Sequence, residues 1–280
     1  MGDRSRVWLI TGVSTGFGRA LAQEVLARGE IVAGTVRQAT QVNEFRALAP
    51  GRSFAYRLDV TDAASIPQLI ANVVRDTGRI DVLVNNAGYG LIGAAEETSD
   101  AEARKLFETN FFGLLNVTKA VLPYMRAAKC GHVLNFSSLA GIMGIPGVSL
   151  YCATKFAVEG LTESLAGELA AFGIKVMIVE PGGFRTDFSG RSINMPAKVL
   201  PEYAGTPAAK ARVLSSQYHG HEPGDPAKAA QAILEAVDSD APPLRLVLGA
   251  DALGAGRAKL ASLAQNYDAW EKVSTCTHAG

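Results

Sequence analysis

Short apolar runs alternate with longer stretches of helical periodicity almost to the end of the chain. The runs read RVWLI, IVAGTV, SFAYRLDV, IDVLVNNAG, HVLNFSS, IKVMIVEPG and RLVLG. Each gap is long enough for a crossover helix, the connection that joins parallel strands. Several runs are continuously apolar instead of alternating in polarity, as strands covered on both faces must be. The pattern predicts an α/β fold, a doubly wound, parallel, seven-stranded sheet with helices on both faces. No repeat, low-complexity tract or Pro/Gly/Ser linker divides the sequence, so residues 1–280 read as a single domain.

The rhythm fails over residues 182–207, GGFRTDFSGRSINMPAKVLPEYAGTP, which have no clean period and many turn formers. Long irregular segments inside a compact domain are commonly binding loops. This one leaves the carboxyl end of the sixth strand, the side on which open parallel sheets bind ligands. A lid is therefore expected over about residues 183–225. The tail from Asp251 onward reads as an added helical segment over about residues 251–272, covering the active-site end or a partner surface.

Composition narrows the function. The 27 basic and 27 acidic residues balance, so no charge excess points to nucleic acid or an anionic membrane as a partner. Cys130, Cys152 and Cys276 are too few and too irregularly spaced for a disulfide framework or a zinc site, so no metal is expected and a reduced, cytoplasmic setting is the simplest reading. No apolar run reaches the length of a membrane span, and MGDRSRVWLITG passes straight from a short polar start into a strand, without a signal peptide. Arg6 stands where a myristoylation motif needs Ser or Thr.

Two constellations carry candidate chemistry. After the first strand, TGVSTGFG places Gly12, Gly16 and Gly18 before the helical stretch RALAQEVLAR. Glycines there permit positive φ and close backbone approach, and the helix amino terminus offers N–H groups to an anion such as a pyrophosphate. The alternative is glycine used only for tight turning. Farther on, LYCATK sets Tyr151 and Lys155 one helical turn apart on one face. Such a pair is either a solvated surface or a proton donor beside a cation.

With NNAG at Asn85–Gly88, Asn110 in an apolar helix, Ser137 and Ser138 after the fifth strand, and Pro181, Gly182 and Thr186 after the sixth, these motifs fall in one order along most of the chain. The sequence resembles the short-chain dehydrogenase/reductase family, whose fold is Rossmann-like. The resemblance implies a nicotinamide-dependent oxidoreductase with Asn110, Ser138, Tyr151 and Lys155 as catalytic residues. Tyr151 would exchange a proton with the carbonyl or alcohol oxygen, Lys155 would bind the nicotinamide ribose and lower the phenol pKa, and Asn110 would hold a water of a proton relay. Ser138, thirteen positions before Tyr151, would orient the substrate carbonyl. Without the resemblance, Asn110 would read as an amide satisfying a helix irregularity. A serine hydrolase is the competing reading of Ser138, but no G-x-S-x-G elbow is present and His132, His219, His221 and His278 form no evident triad.

The resemblance also implies cofactor contacts from Gly12, Ser14, Thr15, Gly16, Phe17, Gly18, Asp59, Val60, Asn86, Ala87, Gly88, Tyr151, Lys155, Pro181, Gly182 and Thr186. At the end of the second strand Val36 stands where NAD-binding relatives carry an acid, and Arg37 follows. A guanidinium there can fork onto a 2′-phosphate, which favours NADP(H) over NAD(H). Arg37 could equally be an ordinary exposed arginine, and Thr15 departs from the basic residue many NADP-binding relatives carry. Leu139, Met143, Phe184, Phe188 and Met195 are the candidate substrate contacts, suiting a hydrophobic ketone, aldehyde or alcohol of steroid, retinoid or aryl/alkyl type. A homodimer or homotetramer is expected. The alternatives are a non-catalytic dinucleotide sensor and an epimerase or dehydratase of the same superfamily.

Overall fold

The computed structural model describes residues 5–188 and 190–277. Its strands are β1 (Val7–Ile10), β2 (Ile31–Val36), β3 (Ser53–Arg57), β4 (Val82–Asn85), β5 (Gly90–Leu91), β6 (Gly131–Phe136), β7 (Ile174–Pro181), β8 (Ile193–Asn194) and β9 (Arg245–Leu248). The α-helices are α1 (Gly16–Ala27), α2 (Thr40–Arg46), α3 (Ile66–Thr77), α4 (Asp100–Phe107), α5 (Leu114–Ala128), α6 (Leu139–Ile142), α7 (Ser149–Ala170), α8 (Pro207–Tyr218), α9 (Pro226–Asp238) and α10 (Ala250–Thr275). Seven strands form one sheet in the order β3-β2-β1-β4-β6-β7-β9, and each neighbouring pair is parallel. Every apolar run of the sequence therefore became a sheet strand.

Alternation along β1 shows how the two layers arise. Trp8 and Ile10 pack with Leu21 and Val25 of α1, Phe45 of α2 and Ile233 of α9, whereas Leu9 faces Ile70 of α3, Val121 of α5 and Leu165 of α7. Both faces are covered, so polar positions on these strands need specific partners. Asn85 meets that need by donating to Asn135 Oδ1 and Thr118 Oγ1, both at 2.8 Å. His132 lies within β6 and is buried. Burial pushes its imidazole down to about 4, so it is neutral at physiological pH. Its distance from a catalytic role is set by the sheet register, which pairs it with Val82 and Lys175 at the strands' amino-terminal half.

The strand order reverses between β1 and β4, and at this point the crossovers diverge to opposite faces and leave a crevice beyond the carboxyl ends. β1 delivers the glycine turn there, β4 delivers NNAG, β6 delivers Ser138 and β7 delivers the Pro181–Gly182 turn. Helix α4 continues through a π-helical turn, Glu108–Gly113, into α5. The wider turn carries Asn110 inward, in a type of helix irregularity often found at functional sites.

The segment that appeared irregular in sequence has a defined structure fixed by distant residues. β8 pairs in parallel with β5 as a separate two-stranded ribbon. Buried Glu97 accepts hydrogen bonds from Leu200 N at 3.0 Å and from Arg212 Nη1 and Nη2 at 2.5 and 3.0 Å, and Glu102 Oε1 accepts Ala197 N at 2.9 Å. The Arg212 fork is the main reason that the Glu97 carboxyl is pushed down to about 2, so the latch is charged at neutral pH. Local sequence could not reveal this order because its partners lie about a hundred positions upstream.

Candidate active site

The crevice has an outer and an inner part. The outer cleft, about 540 Å³, is lined by Gly12, Ser14, Thr15, Gly16, Phe17, Val36, Arg37, Asp59, Val60, Asn86, Ala87, Gly88 and Thr186, among others. Gly12 and Gly16 adopt φ values of 74° and 60°, a region unfavourable for residues with a Cβ. No side chain caps the amino terminus of α1, which leaves its first turn suited to an anionic ligand. Thr35 Oγ1 accepts the Gly12 N–H at 3.2 Å, and Asn86 Nδ2 donates to the carbonyls of Thr11 and Gly12 at 2.9 and 3.0 Å. The turn is therefore held open from β2 and β4 before any ligand arrives.

Gly18 does not line the cleft. A Cβ at this position would collide with Gly12 O and Asn86 Nδ2, so this glycine allows α1 to pack against the turn. The distinction follows from helix direction, because the third glycine points back toward the sheet.

Arg37 follows buried Val36 and is exposed at the rim of the outer cleft, where Lys105 and Arg191 also lie. Asp59 is partly desolvated, which opposes ionisation, but hydrogen bonds from Thr61 N and Oγ1 at 3.0 and 2.8 Å, together with the charge of Arg37, hold its carboxyl below the ordinary range. A long ligand with an anionic centre fits this arrangement, with the glycine turn at its middle and Arg37 and Asp59 at one end. The cradle also includes Lys105, Tyr89 and Asn194, which no motif in the sequence had marked.

The inner cavity, about 120 Å³, is lined by Ser138, Tyr151, Lys155, Pro181, Gly182, Phe184, Thr186 and Phe188 together with Phe17 and Phe136. Ser138 caps α6, its Oγ accepting the Ala140 N–H at 3.1 Å. Its hydroxyl also hydrogen-bonds the Tyr151 phenol. Lys155 Nζ lies 5.7 Å from the centroid of the Tyr151 ring and donates to Phe136 O at 2.7 Å. The structure thus brings Ser138, Tyr151 and Lys155 together at the inner end of the cleft, and the helical pair is buried instead of solvated.

Burial governs the electrostatics of this pair. Burial pushes the Tyr151 phenol above its ordinary value, and the Ser138 hydrogen bond only partly opposes this. Burial also pushes Lys155 down to about 8, with Glu159 opposing the shift. Desolvation wins because both groups sit within the protein, where the charged base and the charged phenolate each lose water.

The Asn110 side chain is taken up by protein partners. Its Oδ1 accepts Tyr89 N at 3.0 Å and its Nδ2 donates to Tyr89 O at 2.9 Å and Thr154 Oγ1 at 3.2 Å. The amide joins three segments and acts as a brace. Among the candidate substrate contacts, Phe184 and Phe188 line the inner cavity, and Phe188 stacks 5.6 Å from Tyr151. Leu139 and Met143 are half-buried outside the lining of either part of the crevice, and Met195 is 50% exposed.

Sequence reading missed a charge cluster behind Lys155. Arg245 of β9 bridges Glu159 of α7 and Glu180 of β7, with Nη1 2.9 Å from Glu180 Oε1, and reaches exposed Glu163 with Nη2. Burial is the main cause raising the Glu180 carboxyl, reinforced by neighbouring Glu159 and opposed by Arg245. Ser137 Oγ and Glu159 Oε1 have no hydrogen-bond partner among the described residues, and a Cβ on Gly141 would run into both. The available signal was a charged residue inside the apolar run IKVMIVEPG, since an acid in a strand covered on both faces needs a cation.

Comparison with known proteins follows the same outline. Residues 6–196 match the family model described as short chain dehydrogenase. The chain is 39% identical over 246 residues to a 3-ketodihydrosphingosine reductase of Bacteroides thetaiotaomicron, covering 87% of this chain and 88% of that protein. A solved short-chain dehydrogenase from Streptomyces avermitilis superposes with a TM-score of 0.92 at 44% identity, covering 99% of this chain and 100% of that one. ElxO with NADP bound gives a TM-score of 0.71 at 30% identity, covering 88% and 96%.

Proposed function

Because the chain belongs to the short-chain dehydrogenase family, we propose that this oxidoreductase interconverts a hydrophobic ketone or aldehyde and its alcohol, using NADP(H) in preference to NAD(H). The observation that carries the reading is the convergence of Ser138, Tyr151 and Lys155 where the outer cleft meets the inner cavity. The residues that would hold the cofactor are Ser14–Phe17 at the pyrophosphate, Asp59 and Val60 at the adenine, Arg37 at a 2′-phosphate, and Asn86–Gly88, Pro181, Gly182 and Thr186 toward the nicotinamide. When bound, a nicotinamide supplies or accepts the hydride.

In the reductive direction Tyr151 holds the proton. A phenol raised by burial stays neutral through the physiological range, so it donates to the substrate oxygen as negative charge develops there. Ser138 orients that oxygen and contributes a second hydrogen bond. Lys155 brings positive charge to the same corner, and Asn110 keeps Tyr89 and α7 in register around it. The aromatic walls at Phe184 and Phe188 favour an apolar substrate flank, as does the likeness to a 3-ketodihydrosphingosine reductase.

Initial rates of NADPH oxidation at 340 nm with short-chain, long-chain, aryl and steroidal ketones test the proposal, and no consumption with any of them would contradict it. The pH dependence of kcat/KM has a defined sign. Lys155 loses its charge as pH rises through about 8, so reduction is expected to hold steady between pH 6 and 7 and to decline above about 8. A rate undiminished at pH 10 would remove Lys155's charge from the mechanism. Replacing Arg37 with Asp is expected to lower the NADPH-to-NADH ratio of kcat/KM by about 10- to 100-fold, the loss of a hydrogen bond to a charged group worth ~1.5–3 kcal/mol. An unchanged ratio would mean that other groups read the phosphate.

A further inference from the structure

Helix α10 outruns the body that supports it. Near its start Ala252 and Gly256 are buried, with Gly256 facing Ile142 of α6. The same face then continues in steps of four and three residues through Leu260, Leu263, Tyr267 and Trp270. Leu260, Tyr267 and Trp270 are 65%, 68% and 59% exposed. A four-three alternation of large apolar residues is the seam of a helix pair, with a period of ~3.5 residues. Some five turns of helix beyond the body, with the apolar stripe in water, would also be marginal alone, because helices in proteins are held mainly by packing of that face.

We propose that this stripe is an interface with a second copy of the same chain, the two α10 helices pairing antiparallel about a two-fold axis. Charge placement selects the orientation. When Leu260 is set against Trp270 of the second copy and Leu263 against its Tyr267, the flanking Arg257 faces Glu271 of the second copy, and symmetry repeats the pair. A parallel pairing leaves Arg257 without that carboxylate and brings both bodies to the same end. The free length also matches itself. Residues 257–275 extend about 28 Å at ~1.5 Å per residue, so in this register the tip of each helix ends at the edge of the other body. A membrane surface is the poorer occupant, since α10 carries Arg257, Lys259 and Lys272 against Asp251, Asp268 and Glu271, without the basic excess of helices that lie on anionic lipid.

The test is cross-linking of the full chain with Cys130 and Cys276 replaced by Ser. Ala264→Cys sits beside the seam at the centre of the antiparallel register and is expected to join two copies through a short bis-maleimide, whereas Gln265→Cys on the outer face is not. Tyr267→Glu combined with Trp270→Glu is expected to halve the mass seen by light scattering and to make the melting temperature independent of protein concentration. Arg257→Glu is expected to weaken the assembly, and adding Glu271→Arg to restore it. Equal cross-linking at both cysteine positions, none at Ala264→Cys, an unchanged mass, or Trp270-dependent binding to neutral or anionic lipid vesicles would each overturn the proposal. None of these readouts depends on turnover.

Discussion

Tyr151→Phe is expected to lower kcat for carbonyl reduction by about 10²- to 10⁴-fold, the usual contribution of a positioned acid, while NADPH binding measured by fluorescence titration changes little. The substitution removes one oxygen from a buried ring that packs 5.6 Å from Phe188, so the shape of the cavity is retained. It also removes the hydrogen bond with the Ser138 hydroxyl, leaving Ser138 able to hold a substrate oxygen but without a proton to give. A variant that keeps wild-type kcat would show that the proton comes from elsewhere. One that loses NADPH affinity to the same extent would show a role in binding rather than in chemistry.

Arg245→Leu carries the largest expected cost in stability. It leaves Glu159 and Glu180, whose side chains are 8% and 1% exposed, facing one another without their shared cation. Breaking a buried pair from one side costs ~3–5 kcal/mol. Arg245 is itself 39% exposed, and solvent screening places the expected loss near the lower end, about 3 kcal/mol. The dependence on pH follows from Glu180, whose folded value lies above the ordinary value of 4.5. An acid raised on folding holds its proton longer in the folded than in the unfolded state, so it lowers stability as pH rises above 4.5. Without Arg245 that upward shift grows. The difference in denaturation free energy between wild type and variant is therefore expected to be larger at pH 8 than at pH 5. A difference that is constant across this range would mean the guanidinium contributes packing rather than charge.

Both predictions rest on α7 but differ in how visible their residues were beforehand. Tyr151 and Lys155 were legible because a motif four residues apart encodes its own geometry once a helix forms. Glu159 shares that helix, yet its partners come from β7 and β9, and nothing local announces that three strands' worth of chain will place Arg245 over it. The same contrast separates Phe184 and Phe188, which enter the inner cavity, from Leu139 and Met143, which were just as apolar and closer in sequence to a catalytic position. Hydrophobicity marks a residue as suited to an apolar surface without saying which one.

What the sequence determined by itself was the order of strands and helices, the glycine turn, and the placing of the tyrosine and the lysine on one helical face. These follow from backbone periodicity and short-range sterics, which act over a few residues and are written into local pattern. What only the tertiary structure decided was the protonation of those groups, the latching of the 182–207 segment by Glu97 and Glu102, the brace at Asn110, and the charged cluster behind Lys155. Each depends on desolvation or on pairing between residues tens to more than a hundred positions apart, and such energies exist only once the chain has folded around them.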